Sequence, residues 1–290
     1  CPRSTRSNGQ VNPDYHDVFV FENDFPALSD LSFEQVNNQS DSPFFHQRVE
    51  RGICEVVCFS PKHNAHFSML SISEVSKVIA TWTDRYRALS QIDGIQYIQI
   101  FETRGKEVGN SSPHLHSQIW AQESIPTLPA KMIEAQEEYF QECSSQLLLD
   151  YVHEECEAGE RVITEIGDFV LLVPYWAEWP YETYILPKKH IAALTDLSDR
   201  QRNDLAKMIS IAAKMYASFF QRSPHSAPYM LSIFQKPTAT SDARYVQLFL
   251  KFITPMLSPA RQKYQAGYEK SAEPQRDLTP ETAAWQLRDS

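Results

Sequence analysis

Ser111-Ser112-Pro113-His114-Leu115-His116-Ser117-Gln118-Ile119-Trp120 places two imidazoles and an amide at i, i+2 and i+4. In an extended segment those three side chains share one face. A neutral imidazole can ligate a metal or attack phosphorus, and a side-chain amide beside it can donate to phosphate oxygens. The stretch is thus a candidate site on a strand, and the sequence around it reads as one of two copies of a unit. Residues 55–89 give a strand (Val56 to Phe59), then Pro61-Lys62-His63, then a helix with Val75, Val78, Ile79, Trp82, Tyr86 and Leu89 on one face. Residues 182–220 repeat the plan: Tyr184 to Leu186, Pro187-Lys188-Lys189-His190, then a helix with Leu205, Met208, Ile209, Ala212, Tyr216 and Phe219. Both helices open on a capping box, Ser71 with Glu74 and Ser198 with Gln201. Each is followed by a strand ending in Ile-Phe (Ile100-Phe101, Ile233-Phe234) and another extended run. In the first copy that run holds His114-Leu115-His116; in the second, Phe249-Leu250-Lys251.

Strands and helices mix without regular β-α-β alternation, which predicts an α+β architecture of duplicated halves. The halves are expected at 1–128, carrying the histidines, and 129–290, without them. Between them, Pro129 to Asp150 reads as a helical surface excursion. Residues 33–48 read as a mobile loop, and the C-terminal helical pattern breaks at Pro274 and restarts near Thr279.

At 290 residues, 42% hydrophobic and 22% charged, the chain has the composition of a globular protein. A net charge of -10 argues against nucleic-acid partners, and no apolar run is long enough to span a bilayer. Five cysteines at irregular spacing make no disulfide framework, so reduced thiols and a cytoplasmic location are expected. The eight glycines form neither a dinucleotide fingerprint nor a P-loop.

The run Gly109 to Ala121 resembles the signature of galactose-1-phosphate uridylyltransferases, of the histidine-triad superfamily. The resemblance covers nearly the whole chain through Asn12-Pro13-Asp14-Tyr15, Asn23-Asp24-Phe25, Cys58-Phe59-Ser60-Pro61, Val173-Pro174-Tyr175-Trp176 and Gly267 to Thr279. It implies two histidine-triad halves sharing a mostly antiparallel sheet with helices outside. It implies transfer of UMP from UDP-glucose to a hexose 1-phosphate, with His116 as nucleophile and Gln118 and Ser111 donating to the transferring phosphate. Asn23 and Asp24 match ribose-binding positions, Thr103 stands where an Asn contacts the phosphates, and Lys263, Tyr264, Tyr268, Glu269 and Gln275 match the hexose-phosphate segment. That segment works partly across a dimer interface, so a homodimer is implied. Without the resemblance, Asn23-Asp24 reads equally as a strand end, and Lys263 with Glu269 as a solvated helix-surface pair.

The family's zinc is held by a C-x-x-C pair and two histidines. Cys1, His63 and His114 match three of those ligands, and the remaining cysteine would precede residue 1. A second metal site of the family, matching positions near Met132 and at Phe234, Phe249 and Lys251, is expected to be absent, because apolar and cationic side chains cannot build it. Leu115 stands in place of the family Pro and Asn110 in place of a small residue, and the family's arginine-bearing N-terminal arm has no counterpart in these residues. A related nucleotidyltransferase or phosphorylase with another base or sugar, and a non-catalytic sugar-nucleotide-binding paralogue, are the competing readings.

Overall fold

A computed structural model describes residues 1–29, 42, 44–45, 49–110, 112–220, 227–240 and 242–290. Most of the expected mobile loop, and Ser111, lie outside the described residues. In chain order the elements are β1 (Phe19–Glu22), β2 (Gly52–Cys58), α1 (Ile72–Leu89), β3 (Tyr97–Arg104), β4 (His116–Gln122), α2 (Thr127–Cys143), α3 (Leu147–Ala158), β5 (Val162–Ile166), β6 (Phe169–Leu172), β7 (Thr183–Pro187), α4 (Asp199–Phe219), β8 (Tyr229–Phe234), β9 (Phe249–Ile253), β10 (Met256–Ser258), β11 (Arg261–Gln262), α5 (Tyr268–Ser271) and α6 (Pro280–Arg288).

Nine strands form one sheet in the order β1-β2-β4-β3-β8-β9-β7-β6-β5, and every described pairing in it is antiparallel. From β2 to β7 that order is palindromic under the repeat. β3 and β8 meet at the centre, flanked by β4 and β9 and then by β2 and β7. The registers fix the two-fold. Cys58 pairs with His116 and Tyr184 with Lys251, so the operation that carries Pro61 onto Pro187 carries His116 onto Lys251. The two Ile-Phe marks do not obey it, and only Ile233-Phe234 ends its strand, since β3 runs on past Ile100-Phe101 to Arg104. Phe101 faces Gln118 and Met230 faces Ile253, which makes Met230 the equivalent of Phe101 and displaces the Ile233-Phe234 match by four residues.

Both expected capping boxes form: Glu74 N–H donates to Ser71 Oγ at 3.2 Å and Gln201 N–H to Ser198 Oγ at 3.3 Å, each returned by the Glu or Gln side chain. The apolar faces of α1 and α4 pack on each other and on one face of the sheet, burying Trp82, Ile79, Tyr216 and Ile209 against Ile98, Ile100, Ile119, Ile233 and Leu250. Each large side chain so buried is worth about 1.5–3 kcal/mol. That layer holds both halves in one core.

The excursion between the halves departs from expectation. It is two helices, broken where Ser144 turns left-handed at φ 53° and its N–H donates to Phe140. Far from lying wholly at the surface, α3 sinks Leu148 and Val152 onto the opposite face of the second half, against Val170, Leu172, Tyr184, Leu186, Phe234 and Phe249. The corresponding face of the first half, which carries His116, is the wall of a pocket. At the C-terminus the helical pattern before Pro274 yields only the single turn of α5, whereas Thr279 caps α6 through Thr282 N–H.

Candidate active site

Alternation along β4 decides which side chains reach that open face. Ser117, Ile119 and Ala121 are buried toward the helices, and Trp82 Nε1–H ties Ser117 Oγ at 2.8 Å. His116, Gln118 and Trp120 therefore face the other way, half-buried. Leu115 is buried in the core layer, so an apolar side chain suits that position, and its carbonyl accepts Phe59 N–H at 3.2 Å. The chain reaches β4 through a turn that begins at Gly105. There φ is 97° and a Cβ would lie 2.7 Å from Pro228, so a side chain has neither the backbone geometry nor the room. Asn110 Oδ1 accepts Ser112 N–H at 3.0 Å in the same loop.

His116 Nδ1 lies 2.7 Å from the carbonyl oxygen of His114. A carbonyl only accepts, so Nδ1 carries the proton and Nε2 keeps its lone pair. Burial lowers the His116 pKa, with the nearby Arg104 guanidinium acting the same way against the His114 carbonyl. The ring is neutral at pH 7 and nucleophilic through Nε2.

His114 belongs to a different cluster. Its Nδ1 is 3.5 Å from Cys1 Sγ, which is 3.0 Å from His63 Nδ1, and the ligand atoms of all three residues lie within 4.8 Å of one another. Metal–ligand bonds of 2.0–2.3 Å at tetrahedral angles put donors about 3.5 Å apart, so this set fits a zinc-sized ion. Burial pulls the His114 pKa down to about 4, which keeps its ring unprotonated. Tyr15 Oη sits 3.4 Å from the other nitrogen, Nε2, and stacks on Phe19.

Between these clusters and the end of β1 opens a pocket of about 310 Å³, lined among others by Arg6, Phe21, Asn23, Asp24, Cys58 and His116. Asn23-Asp24 does follow a strand, and it also forms this wall. Arg6 was not legible as a site residue: one arginine without a spacing signal, whose pocket partners Phe21 and Asp24 lie 15 and 18 positions away. It pairs with Asp24 at 3.2 Å and stacks its guanidinium over Phe21 at 4.6 Å. Asp24 also accepts Ser7 N–H at 3.1 Å.

The hexose-phosphate candidates stand apart, and none of them lines this pocket. Lys263 is buried, 2.9 Å from Glu269 and 2.6 Å from Asp277, and it donates to the Gln275 carbonyl at 2.5 Å; a solvated surface pair is not what it forms. Tyr264 and Tyr268 project into solvent. Thr103 lies half-buried on β3 opposite Met230 and outside the pocket lining. Where a second metal site was considered, Phe234 stacks on Phe249 at 4.7 Å, Phe249 on Tyr184 at 5.1 Å, and Lys251 pairs with buried Glu182 at 2.8 Å.

The fold is of the α+β class, a mostly antiparallel sheet of two repeated halves with a His-x-His strand over its pocket. Within that class, the chain belongs to the galactose-1-phosphate uridyl transferase family: the family's N-terminal domain matches residues 1–126 and its C-terminal domain residues 132–290. It is 39% identical over 289 residues to the galactose-1-phosphate uridylyltransferase of Haemophilus influenzae, covering 99% of this chain and 81% of that one. A solved uridylyltransferase superposes with a TM-score of 0.85 at 25% identity, over 96% of this chain and 86% of that chain. An ADP-glucose phosphorylase from Arabidopsis thaliana, solved with bound ADP-glucose, superposes at 0.78 and 25% identity, over 100% of this chain and 86% of that chain.

Proposed function

We propose that this protein is a UDP-glucose:hexose-1-phosphate uridylyltransferase working through a uridylyl-histidine. The observation that carries the reading is the His116 ring, its Nδ1 proton held by the His114 carbonyl and its Nε2 without a hydrogen-bond partner among the described residues, at the edge of the pocket. Nε2 attacks the α-phosphorus of UDP-glucose, forming a P–N bond as the P–O bond to glucose 1-phosphate breaks. The phosphate oxygen of a second hexose 1-phosphate then attacks the same phosphorus and returns the electron pair to Nε2. Splitting one displacement in two lets a single pocket serve both partners. Gln118 and Ser111 donate to the transferring phosphate, where charge concentrates. Asn23 and Asp24 hold the ribose, with Thr103 beside the phosphates.

Cys1, His63 and His114 hold zinc in this reading. When bound, zinc supplies a structural cross-link between the N-terminal segment and the residue whose carbonyl orients His116. Lys263, Tyr264, Tyr268, Glu269 and Gln275 serve the pocket of a partner subunit. Their absence from the lining of their own chain's pocket supports that arrangement and a homodimer. We place the division between the halves at residues 128 and 129, and the protein in the cytoplasm, consistent with five cysteines free of disulfides and no helix, among the described residues, long and apolar enough to cross a membrane.

The test is initial-rate kinetics with UDP-glucose and galactose 1-phosphate varied together. Parallel reciprocal lines, with exchange of labelled glucose 1-phosphate into UDP-glucose in the absence of the second sugar phosphate, are expected; intersecting lines without exchange contradict the two-step route. The likeness to the ADP-glucose phosphorylase, together with Thr103 and Asn110, favours one second reading, a different base. A panel of NDP-glucoses in the exchange assay separates the two.

A further inference from the structure

Gln118 has chemically opposite ends. Its amide nitrogen donates twice and its carbonyl oxygen only accepts, so just one of the two orientations can stabilise a phosphate. Its neighbours determine which orientation it takes. Trp120, two residues along β4 on the same face, donates its indole N–H to Gln118 Oε1 at 3.0 Å. An indole nitrogen never accepts, so the carbonyl end must point to Trp120. Asn23 imposes the same choice independently. The backbone N–H of Phe25 donates to Asn23 Oδ1 at 3.0 Å, which turns Asn23 Nδ2 toward Gln118 Oε1, 3.4 Å away. Flipping Gln118 would bring its NH2 against two N–H donors. The indole is itself held in place, edge-to-face with Phe101 at a centroid distance of 5.5 Å.

We infer that Trp120 is a positioning residue, whose indole N–H locks the Gln118 carboxamide with its donor end toward the transferring phosphate. This rests on the proposed role of Gln118. Trp120 does not touch substrate in this scheme; it removes the half of the Gln118 orientations that would present an oxygen to an anion.

The experiment is the rate of enzyme uridylylation by UDP-glucose, with KM, for the wild type, Trp120→Phe, Gln118→Ala and the double variant. Trp120→Phe is expected to lower the rate about tenfold, the effect of one lost hydrogen bond, with KM within about twofold. Gln118→Ala is expected to lower it about a hundredfold, and the double variant should match Gln118→Ala within about twofold. A Trp120→Phe rate equal to wild type, or a Trp120→Phe loss that persists in the Gln118→Ala background, overturns the inference while leaving the role of Gln118 standing. A Gln118→Ala enzyme at full rate overturns the role of Gln118 and the inference with it. Should Trp120→Phe not fold, β-(3-benzothienyl)alanine at position 120 keeps the ring shape, lacks the N–H and carries the same expectations.

Discussion

A backbone carbonyl separates the two histidines of the motif into different chemistries. His114 offers its ring to Cys1 and His63 and its carbonyl to His116, so the metal ligand and the nucleophile proposed here are linked through one residue. The alternation of β4 made the shared face of His116 and Gln118 readable, because i and i+2 on a strand share a face while the residue between them enters the core; the division between the two histidines came from the family resemblance alone. Arg6 shows where such reading stops. Its value lies in contacts with Asp24 and Phe21 that exist only once β1 is laid on β2 and the N-terminal segment folds beside it. With both side chains nearly buried, Arg6 fixes the Asp24 carboxylate that is proposed to hold the ribose. Arg6→Gln is expected to raise KM for UDP-glucose about tenfold with kcat within about threefold, a loss of ground-state binding near 1.4 kcal/mol. Initial-rate kinetics check it, and an unchanged KM removes Arg6 from the site.

Among the elements, the helices were the most legible. Their apolar faces and capping boxes are local and periodic, and α1 and α4 occupy the predicted residues. The strands between them were less so: Ile-Phe ends β8 but falls inside β3, which runs on to Arg104, and the ladders place the two marks four residues out of step, since register is set by partners rather than by composition. The burial of α3 was missed because its large apolar residues, Leu147 to Leu149, Tyr151 and Val152, crowd into its first turns, and the mostly acidic remainder carries no apolar stripe onward to mark a packed face. On β3, Glu102 is 2% exposed, accepts from Tyr229 Oη at 3.1 Å and has one oxygen without a partner among the described residues. Burial pushes its pKa up to about 8, against the opposing pull of Arg104 and Tyr229. The folded chain keeps this proton where the unfolded chain has lost it, so the contribution of Glu102 to stability is full at low pH and declines as pH rises from the ordinary carboxyl range toward 8. Glu102→Gln, which cannot ionise, is expected to change Tm little at pH 5 and to raise it by a few degrees at pH 8. Parallel Tm-versus-pH curves for the two proteins would show that Glu102 does not titrate in this window.

At the scale of the molecule, duplication built one sheet and two fates for the same position. In the second half α3 covers the face, Phe234, Phe249 and Tyr184 fill it, and Lys251 with Glu182 stands where His116 stands in the first. In the first half the face stays open beneath the N-terminal segment. If zinc ties that segment down, its removal should loosen the pocket: a strong chelator is expected to lower Tm by several degrees, since a ligand at a hundred times its Kd adds about 2.7 kcal/mol. An unchanged Tm, with no zinc found by elemental analysis of the purified protein, counts against the site. The central claim, that His116 Nε2 carries UMP, has a direct measurement. The protein is mixed with UDP-glucose alone, digested at alkaline pH to preserve the phosphoramidate, and its peptides are mapped by mass spectrometry. A uridylyl group is expected on His116, displaced on adding a hexose 1-phosphate and absent from His116→Ala; an unmodified His116 peptide in a protein that still converts substrate would rule out the histidine intermediate.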